Sequence, residues 1–136
     1  MITGDVIMLK EALKKGDSKD ILPIAYAIHI LTNKVPVAMR SKENAGVRIE
    51  KDKVVDDNYE GHVLKMAIET GQTLKVSAIV GPYKGLPVIV VPIKDGEEVL
   101  GAVGIVDITG GMFEEILAIS KRPELAKYLP DEAYTY

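Results

Sequence analysis

The fold of this chain is decided by the stretch LPVIVVPIKDGEEVLGAVGIVDI, residues 86–108. It holds two apolar runs, 86–93 and 99–108, on either side of Asp95-Gly96, a dipeptide that favours a tight hairpin turn. The second run is apolar almost throughout, and such strands are typically covered on both faces. The stretch therefore predicts two antiparallel neighbours, the second of which is buried on both faces.

Three more strands are predicted upstream. Residues 73–80 alternate between polar and apolar side chains and reach the hairpin through Gly81–Gly85, a turn by composition. Alternation also predicts strands at 35–40 and 47–50, and Lys51-Asp52 predicts a turn after the second of these. The last three strands form a meander through tight turns. The first two must join the same sheet, because a two-stranded ribbon alone is only marginally stable.

Three helices are predicted from capping residues and helical spacing. Asp5 caps the first helix, which Gly16 ends in a left-handed conformation. Asp20 caps the second, Ile21–Leu31, and the third lies within Asn58–Gly71 with Asn58 as its cap. The second helix is apolar nearly all round. One of its sides is therefore expected to face the core and the other a homodimer partner or another protein.

Helices and strands in this order predict an α+β fold, with a five-stranded antiparallel sheet and helices packed on one face. The whole chain, residues 1–136, is predicted to be a single domain, since its length is usual for one domain and no linker divides it. Within it, 1–34 form the N-terminal helices, 35–109 the sheet with its crossover helix, and 110–136 a C-terminal helical tail.

The amino-acid composition argues against several classes of function. The absence of cysteine excludes disulfides, thiolate metal sites and a cysteine nucleophile. A net charge of −3 with interspersed charges argues against nucleic-acid binding, for which a basic patch is usual. The longest charge-free stretch, 21–33, is shorter than the roughly 20 apolar residues that span a bilayer, and the amino terminus lacks a signal-peptide pattern. A cytoplasmic protein without membrane or nucleic-acid partners is therefore expected.

No complete catalytic or cofactor motif is present. The chain contains no G-x-S-x-G, no G-x-G-x-x-G and no P-loop. Its two distant histidines, His29 and His62, do not supply the three or four ligands of a metal site, so neither a metal nor a cofactor is expected. His29 lies in an apolar helix and is predicted to be a core or interface residue. An enzyme acting on a small acid would have to use Asp107 or His29 as its titratable group.

Two families resemble this chain. The order of two strands, a helix and three strands, with Gly81–Val88, Pro92-Ile93 and Gly101–Gly110, resembles PAS-type domains, including their Cache and citrate-sensor branch, and is similar to the profilin-like group. Pro36–Ser41 and Gly46–Arg48, taken with those segments, resemble a family of methanogenic archaea catalogued only as a domain of unknown function. The PAS resemblance implies a PAS-like sheet and a small-molecule sensor.

The most specific indication of a ligand-binding site is a group of basic residues. Arg40 and Arg48 are predicted on adjacent strands, and Lys84 lies at the start of the fourth strand beside Tyr83. A planar guanidinium suits a carboxylate, and a tyrosine hydroxyl adds a hydrogen bond, so a small anion is the expected ligand. The alternative is that each basic residue is exposed surface charge. The predicted ligand-binding residues are Arg40, Ser41, Arg48, Tyr83, Lys84 and Asp107.

The leading hypothesis is a sensor or regulatory module, without an output domain of its own, that binds a small anion. The ligand is expected between the sheet and either Ser41–Gly46 or Asn58–Gly71. Replacing Arg40 by alanine is expected to abolish binding and to leave folding intact. The second hypothesis is a non-catalytic interaction or dimerisation module, which acts through Ile21–Leu31 and holds no ligand.

Overall fold

The computed structural model describes the backbone of residues 2–107 and the side chains of residues 9–107. The strands of this part of the chain form one antiparallel sheet in the order β3-β2-β1-β6-β5-β4, which confirms the α+β class. The predicted helical tail, 110–136, lies outside the described residues. The elements are α1 (Ile2–Lys15), α2 (Ser18–Leu31), β1 (Val37–Ser41), β2 (Gly46–Glu50), β3 (Lys53–Tyr59), α3 (His62–Thr70), β4 (Leu74–Ser77), β5 (Pro87–Asp95) and β6 (Glu98–Val106).

The sheet has six strands rather than the predicted five, because the turn at Lys51-Asp52 leads into another paired strand. β3 pairs with the outer side of β2, where Arg48 lies opposite Asp56. It is an edge strand with two register shifts, and most of its residues are exposed. Its polar segment, 56–58, lacks apolar alternation, so a period-two pattern does not reveal the strand.

Both faces of the sheet are covered by helices, whereas the prediction placed helices on one face. α1 and α2 cover the face that carries Val37 and Met39. α3 covers the opposite face, which carries Ala38 and Val90. Successive residues of a strand point to opposite faces. Because β1 is apolar at consecutive positions, both faces need a covering layer.

β6 lies between β1 and β5, and it is covered on both faces as its apolar sequence predicts. Ala102 is buried on the α3 side, and Val103 packs on the α2 side. A Cβ atom on Gly101 would collide with the backbone of Arg40 in β1. The glycine therefore allows the central strands to approach closely.

Helix starts differ from the predicted ones. Asp17 caps α2, since its side chain accepts from the N–H groups of Lys19 and Asp20. The Asp20 carboxylate accepts in turn from the N–H of Asp17, which completes a capping box and leaves Asp20 inside the helix. Asn58 lies in β3, so α3 begins at His62. The N-cap of α2 is therefore Asp17 and not Asp20, because only the Asp17 carboxylate accepts from the free N–H groups of the first turn.

Helix ends are fixed by glycines in two different ways. Gly71 has a φ of 65° and ends α3 in the left-handed conformation, as predicted. Gly16 does not have a positive φ, so the predicted left-handed stop is wrong there. A Cβ on Gly16 would collide with the Ala12 carbonyl, which makes the residue a close-approach glycine. Asp5, the predicted cap of the first helix, lies within α1.

Candidate functional site

A cleft lies between α3 and the sheet face that α3 covers. Its empty space, part of which is open to solvent, is about 450 Å³. The sheet side includes Ala38, Val88 and Gly104, and the α3 side includes Val63 and Leu64. The rim carries the polar groups Tyr59, His62 and Tyr83. A concave, mainly apolar surface with a few polar groups is the kind of place where small molecules bind.

Small residues on neighbouring strands open the floor of this cleft. Ala38 of β1 lies opposite Gly104 of β6, and Gly104 lies opposite Val90 of β5. A Cβ atom on Gly104 would stand 2.6 Å from a methyl group of Val90. Gly104 therefore leaves room for the Val90 side chain, and Ala38, Gly104 and Val90 together form the floor of the cleft.

The loop from Ala78 to Leu86 forms one wall of the cleft. β4 ends at Ser77, earlier than the predicted 80, and the loop closes through Ala78 N–H to Leu86 O at 3.0 Å and Gly85 N–H to Ala78 O at 2.8 Å. Gly81 and Gly85 have φ values of 83° and 85°, which favour glycine. This backbone path brings the Tyr83 ring back over the sheet.

Arg48 is stacked between two tyrosine rings beside the cleft. Its guanidinium carbon lies 5.7 Å from the ring centre of Tyr59 and 5.5 Å from that of Tyr83. Its Nη1 donates to the Glu50 carboxylate at 3.0 Å, and the Tyr83 hydroxyl is 3.5 Å from the same oxygen. Arg48 Nε is buried and has no hydrogen-bond partner among the described residues. Cation–π stacking therefore joins β2, β3 and the 78–86 loop.

The cluster formed by Arg48, Glu50, Tyr59 and Tyr83 combines one positive charge, one negative charge and two phenol groups. Burial, and next the nearby Glu50 carboxylate, raise the pKa of Tyr83, although Arg48 opposes the shift. Burial also raises the pKa of Tyr59. Both phenols are consequently protonated at neutral pH and able to donate a hydrogen bond. The charge of Arg48 is cancelled by Glu50, so the cluster carries no net charge.

Arg40 and Ser41 hold backbone together and do not line the cleft. Arg40 donates from Nε to the Ser41 carbonyl at 2.9 Å and from Nη1 to the Glu60 carbonyl at 2.9 Å. The Ser41 hydroxyl donates to the Gly16 carbonyl at 2.7 Å and accepts from the Asn44 N–H at 3.1 Å. These contacts give both residues a role in folding. Replacing Arg40 is therefore expected to affect stability, contrary to the expectation from sequence.

Lys84 and Asp107 also lie outside the cleft lining. Lys84 is exposed in the turn that its own N–H forms with the Gly81 carbonyl. Asp107 follows the last residue of β6. Of the six predicted residues, the structure brings only Arg48 and Tyr83 into contact with each other at this site. Sequence reasoning missed Tyr59. Glu50 was an expected partner of the basic residues only if these were surface charges, and it lies two residues after Arg48 on the same face of β2.

His29 is a core residue, as its apolar helix predicts. It is fully buried, with Nδ1 at 2.8 Å from the Val35 carbonyl and Nε2 at 3.1 Å from the Asp52 nitrogen. Nε2 accepts the Asp52 N–H, and Nδ1 donates to the Val35 carbonyl. Backbone groups thus occupy both ring nitrogens. No group of three or more His, Cys, Asp or Glu within the described range could hold a metal ion.

These features define an α+β domain whose six-stranded antiparallel sheet carries an apolar cleft under one helix. The chain belongs to the family described as "Uncharacterized protein conserved in archaea (DUF2111)", which matches residues 28–109. It is similar to "Uncharacterized protein MJ0405" of Methanocaldococcus jannaschii, with 62% identity over 121 residues that cover 89% of this chain and 92% of the relative. The resemblance to an archaeal family of unknown function is therefore confirmed.

No solved structure matches the chain. Within residues 2–107, no helix is long and apolar enough to cross a membrane.

Proposed function

We propose that this chain is a small-molecule-binding sensor or regulatory module, with its ligand in the cleft between α3 and the sheet. The observation that carries the proposal is the apolar floor at Ala38 and Gly104, which lies in a partly open cleft beneath α3. Concave, mainly apolar surfaces with a few polar groups are the usual sites of small-molecule binding. The sequence left two locations for the ligand, beside Ser41–Gly46 or beside Asn58–Gly71, and the proposal takes the second.

The strand order is roughly consistent with the PAS-type resemblance, although the sheet has one strand more than the resemblance implies. With β3 set aside, the order is β2-β1-β6-β5-β4, in which the last strand lies at the centre. That is the arrangement the resemblance implies, and α3 then crosses the face on which the cleft lies. Fold analogy alone does not establish function. The proposal therefore rests on the cleft and on the residues that line it.

The test is to block the cleft with a larger side chain. The thermal unfolding of the wild type, Ala38→Leu and Ala27→Leu would be measured with a panel of small organic compounds, both charged and uncharged. Ala38 lies in the lining, whereas Ala27 is an exposed position on α2 that receives the same substitution. A compound at 100 times its Kd should add about 2.7 kcal/mol to the stability of a protein that binds it.

The expected result is a compound that raises the Tm of the wild type and of Ala27→Leu but not of Ala38→Leu. If overpacking unfolds Ala38→Leu, Ala78→Leu blocks the same cleft from the loop side. A ligand that stabilises the blocked variants as strongly as the wild type would place binding elsewhere. An absence of any ligand would favour the second candidate function.

That second candidate, a dimerisation module, is favoured by the outer face of α2. Leu31 is 83% exposed, Ile30 45% and Tyr26 40%. Contiguous exposed apolar surface is typical of interaction sites. Under this candidate the wild type sediments as a dimer, and Leu31→Glu gives a monomer, whereas the exposed control Lys19→Glu on the same helix does not. A monomeric wild type would exclude it.

A further inference from the structure

The side chains that line the cleft limit the charge of a ligand. The lining contains no Lys, Arg, Asp or Glu among the residues that the structure describes. Its polar groups are the side chains of Tyr59, Tyr83 and His62 on the rim. The rest is aliphatic, from α3, three strands and the 78–86 loop. A charge buried against such a surface without a partner is strongly unfavourable.

The cation that contacts the two tyrosines of the lining is already neutralised. Arg48 lies behind the rings of Tyr59 and Tyr83, with its Nη1 bound to Glu50 at 3.0 Å. An anion in the cleft would have to compete with the Glu50 carboxylate for this guanidinium. It would also lie near the negative charge of Glu50. The expected small anion therefore finds no unpaired cation in the lining.

Two tyrosine hydroxyls belong to the lining, and that of Tyr83 already lies 3.5 Å from the Glu50 carboxylate. Burial raises the pKa of both Tyr59 and Tyr83, so their hydroxyls keep their protons at neutral pH. A phenol O–H donates well to the carbonyl or hydroxyl oxygen of an uncharged molecule. The cleft thus offers apolar contact over most of its surface and a few polar contacts at one side.

We infer that the cleft selects an uncharged, mainly apolar small molecule with one or two hydrogen-bonding groups, and that it discriminates against anions and cations of the same shape. This inference rests on the proposed function, because it assumes that the cleft is the binding site. It names the chemical class of the ligand, which the proposed function leaves open.

The experiment compares three probes of nearly equal shape, namely benzamide, benzoate and benzamidine, whose charges at pH 8 are zero, negative and positive. Binding is measured by NMR through the methyl resonances of Val63, Leu64, Val88 and Val90, which lie in the lining. Benzamide is expected to bind at least about tenfold more tightly than either charged probe, a factor that corresponds to about 1.4 kcal/mol.

A positive charge placed at the mouth should reduce or remove the preference for benzamide over benzoate. Val80 lines the cleft but is 53% exposed, so Val80→Lys can add a cation without burying it. Benzoate should then bind about tenfold more tightly than to the wild type, with benzamide little changed. Ile79→Lys is the matched control, because Ile79 is 70% exposed and lies outside the lining.

The outcomes separate the two proposals. Benzamide binding that Ala38→Leu removes, with benzoate at least tenfold weaker, supports both. If benzoate or benzamidine binds as tightly as benzamide and Ala38→Leu removes the binding, the ligand class is wrong and the proposed function stands. If no probe perturbs the lining methyl groups, or if Ala38→Leu leaves the perturbations unchanged, the proposed function fails and this inference fails with it.

Discussion

Replacing Arg40 by methionine should destabilise the protein by about 3–5 kcal/mol. The Arg40 side chain is only 6% exposed. It donates to three backbone carbonyls, those of Ser41, Glu60 and Lys42, at 2.9, 2.9 and 3.3 Å. Methionine fills much of the same space but donates to none of them. Each carbonyl left without its partner costs about 1–3 kcal/mol, at the lower end where water can reach it.

The ion pair of Arg40 adds little to this estimate. Its Nη1 lies 3.1 Å from the Glu60 carboxylate, but the Glu60 side chain is 64% exposed. Pairs with an exposed partner usually contribute about 0–1 kcal/mol. The carbonyl contacts therefore dominate, and Arg40→Lys should recover only part of the loss, because an ammonium cannot reproduce the planar fork.

The assay is urea unfolding followed by circular dichroism. Arg40→Met should lower the midpoint at an unchanged m value, and thermal unfolding should show a decrease in Tm of about 10–20 °C for a chain of this size. Lys84→Met, an exposed position in the 78–86 loop, is the control and should stay within about 0.5 kcal/mol of the wild type. A loss below about 1 kcal/mol for Arg40→Met would refute the structural role assigned to this guanidinium.

Three further predictions concern other parts of the domain. His29→Phe keeps a buried ring but leaves the Val35 carbonyl and the Asp52 N–H without partners, so urea unfolding should show a loss of about 2–4 kcal/mol; a loss near zero would contradict the assigned hydrogen bonds. Lys51 has a φ of 50°, and Lys51→Asn should raise stability by about 0.5–1 kcal/mol in the same assay, since asparagine tolerates this region better; a decrease would show that the lysine side chain matters more. Hydrogen bonds from Lys10, and next from Lys14, lower the pKa of Glu98 to about 2. The contribution of Glu98 is therefore present above about pH 4.5 and is lost as the pH falls towards 2, so unfolding midpoints of the wild type and Glu98→Gln should differ at pH 7 and converge near pH 2; a constant difference would contradict the ion pairs.

Local sequence was sufficient for the central part of the fold. The hairpin at Asp95-Gly96 is present, with Gly96 at a φ of 61°, and the apolar run that follows is the central strand. The end of α3 at Gly71 was predictable for the same reason. Turn chemistry and hydrophobic alternation act over a few residues, so the sequence expresses them directly.

The candidate site was predicted only in part. Arg48 and Tyr83 were identified from residue type and position, and they do contact each other. Arg40 is also an arginine, on the neighbouring strand, yet it binds the backbone carbonyls of Ser41, Lys42 and Glu60. Nothing in the sequence distinguishes the two arginines, because the contacts that set them apart, to Glu60 for Arg40 and to Tyr83 for Arg48, join segments distant along the chain.

The sequence by itself determined the α+β class, the buried last strand and the absence of cysteine chemistry, since these follow from composition and short-range pattern. The tertiary structure decided the number of strands, the covering of both faces and the position of the cleft. A polar edge strand such as β3 has no periodic signal, and it forms because β2 offers it a hydrogen-bonding edge. The cleft arises because strand register places Ala38 opposite Gly104, a juxtaposition of residues 66 positions apart that only the folded sheet creates.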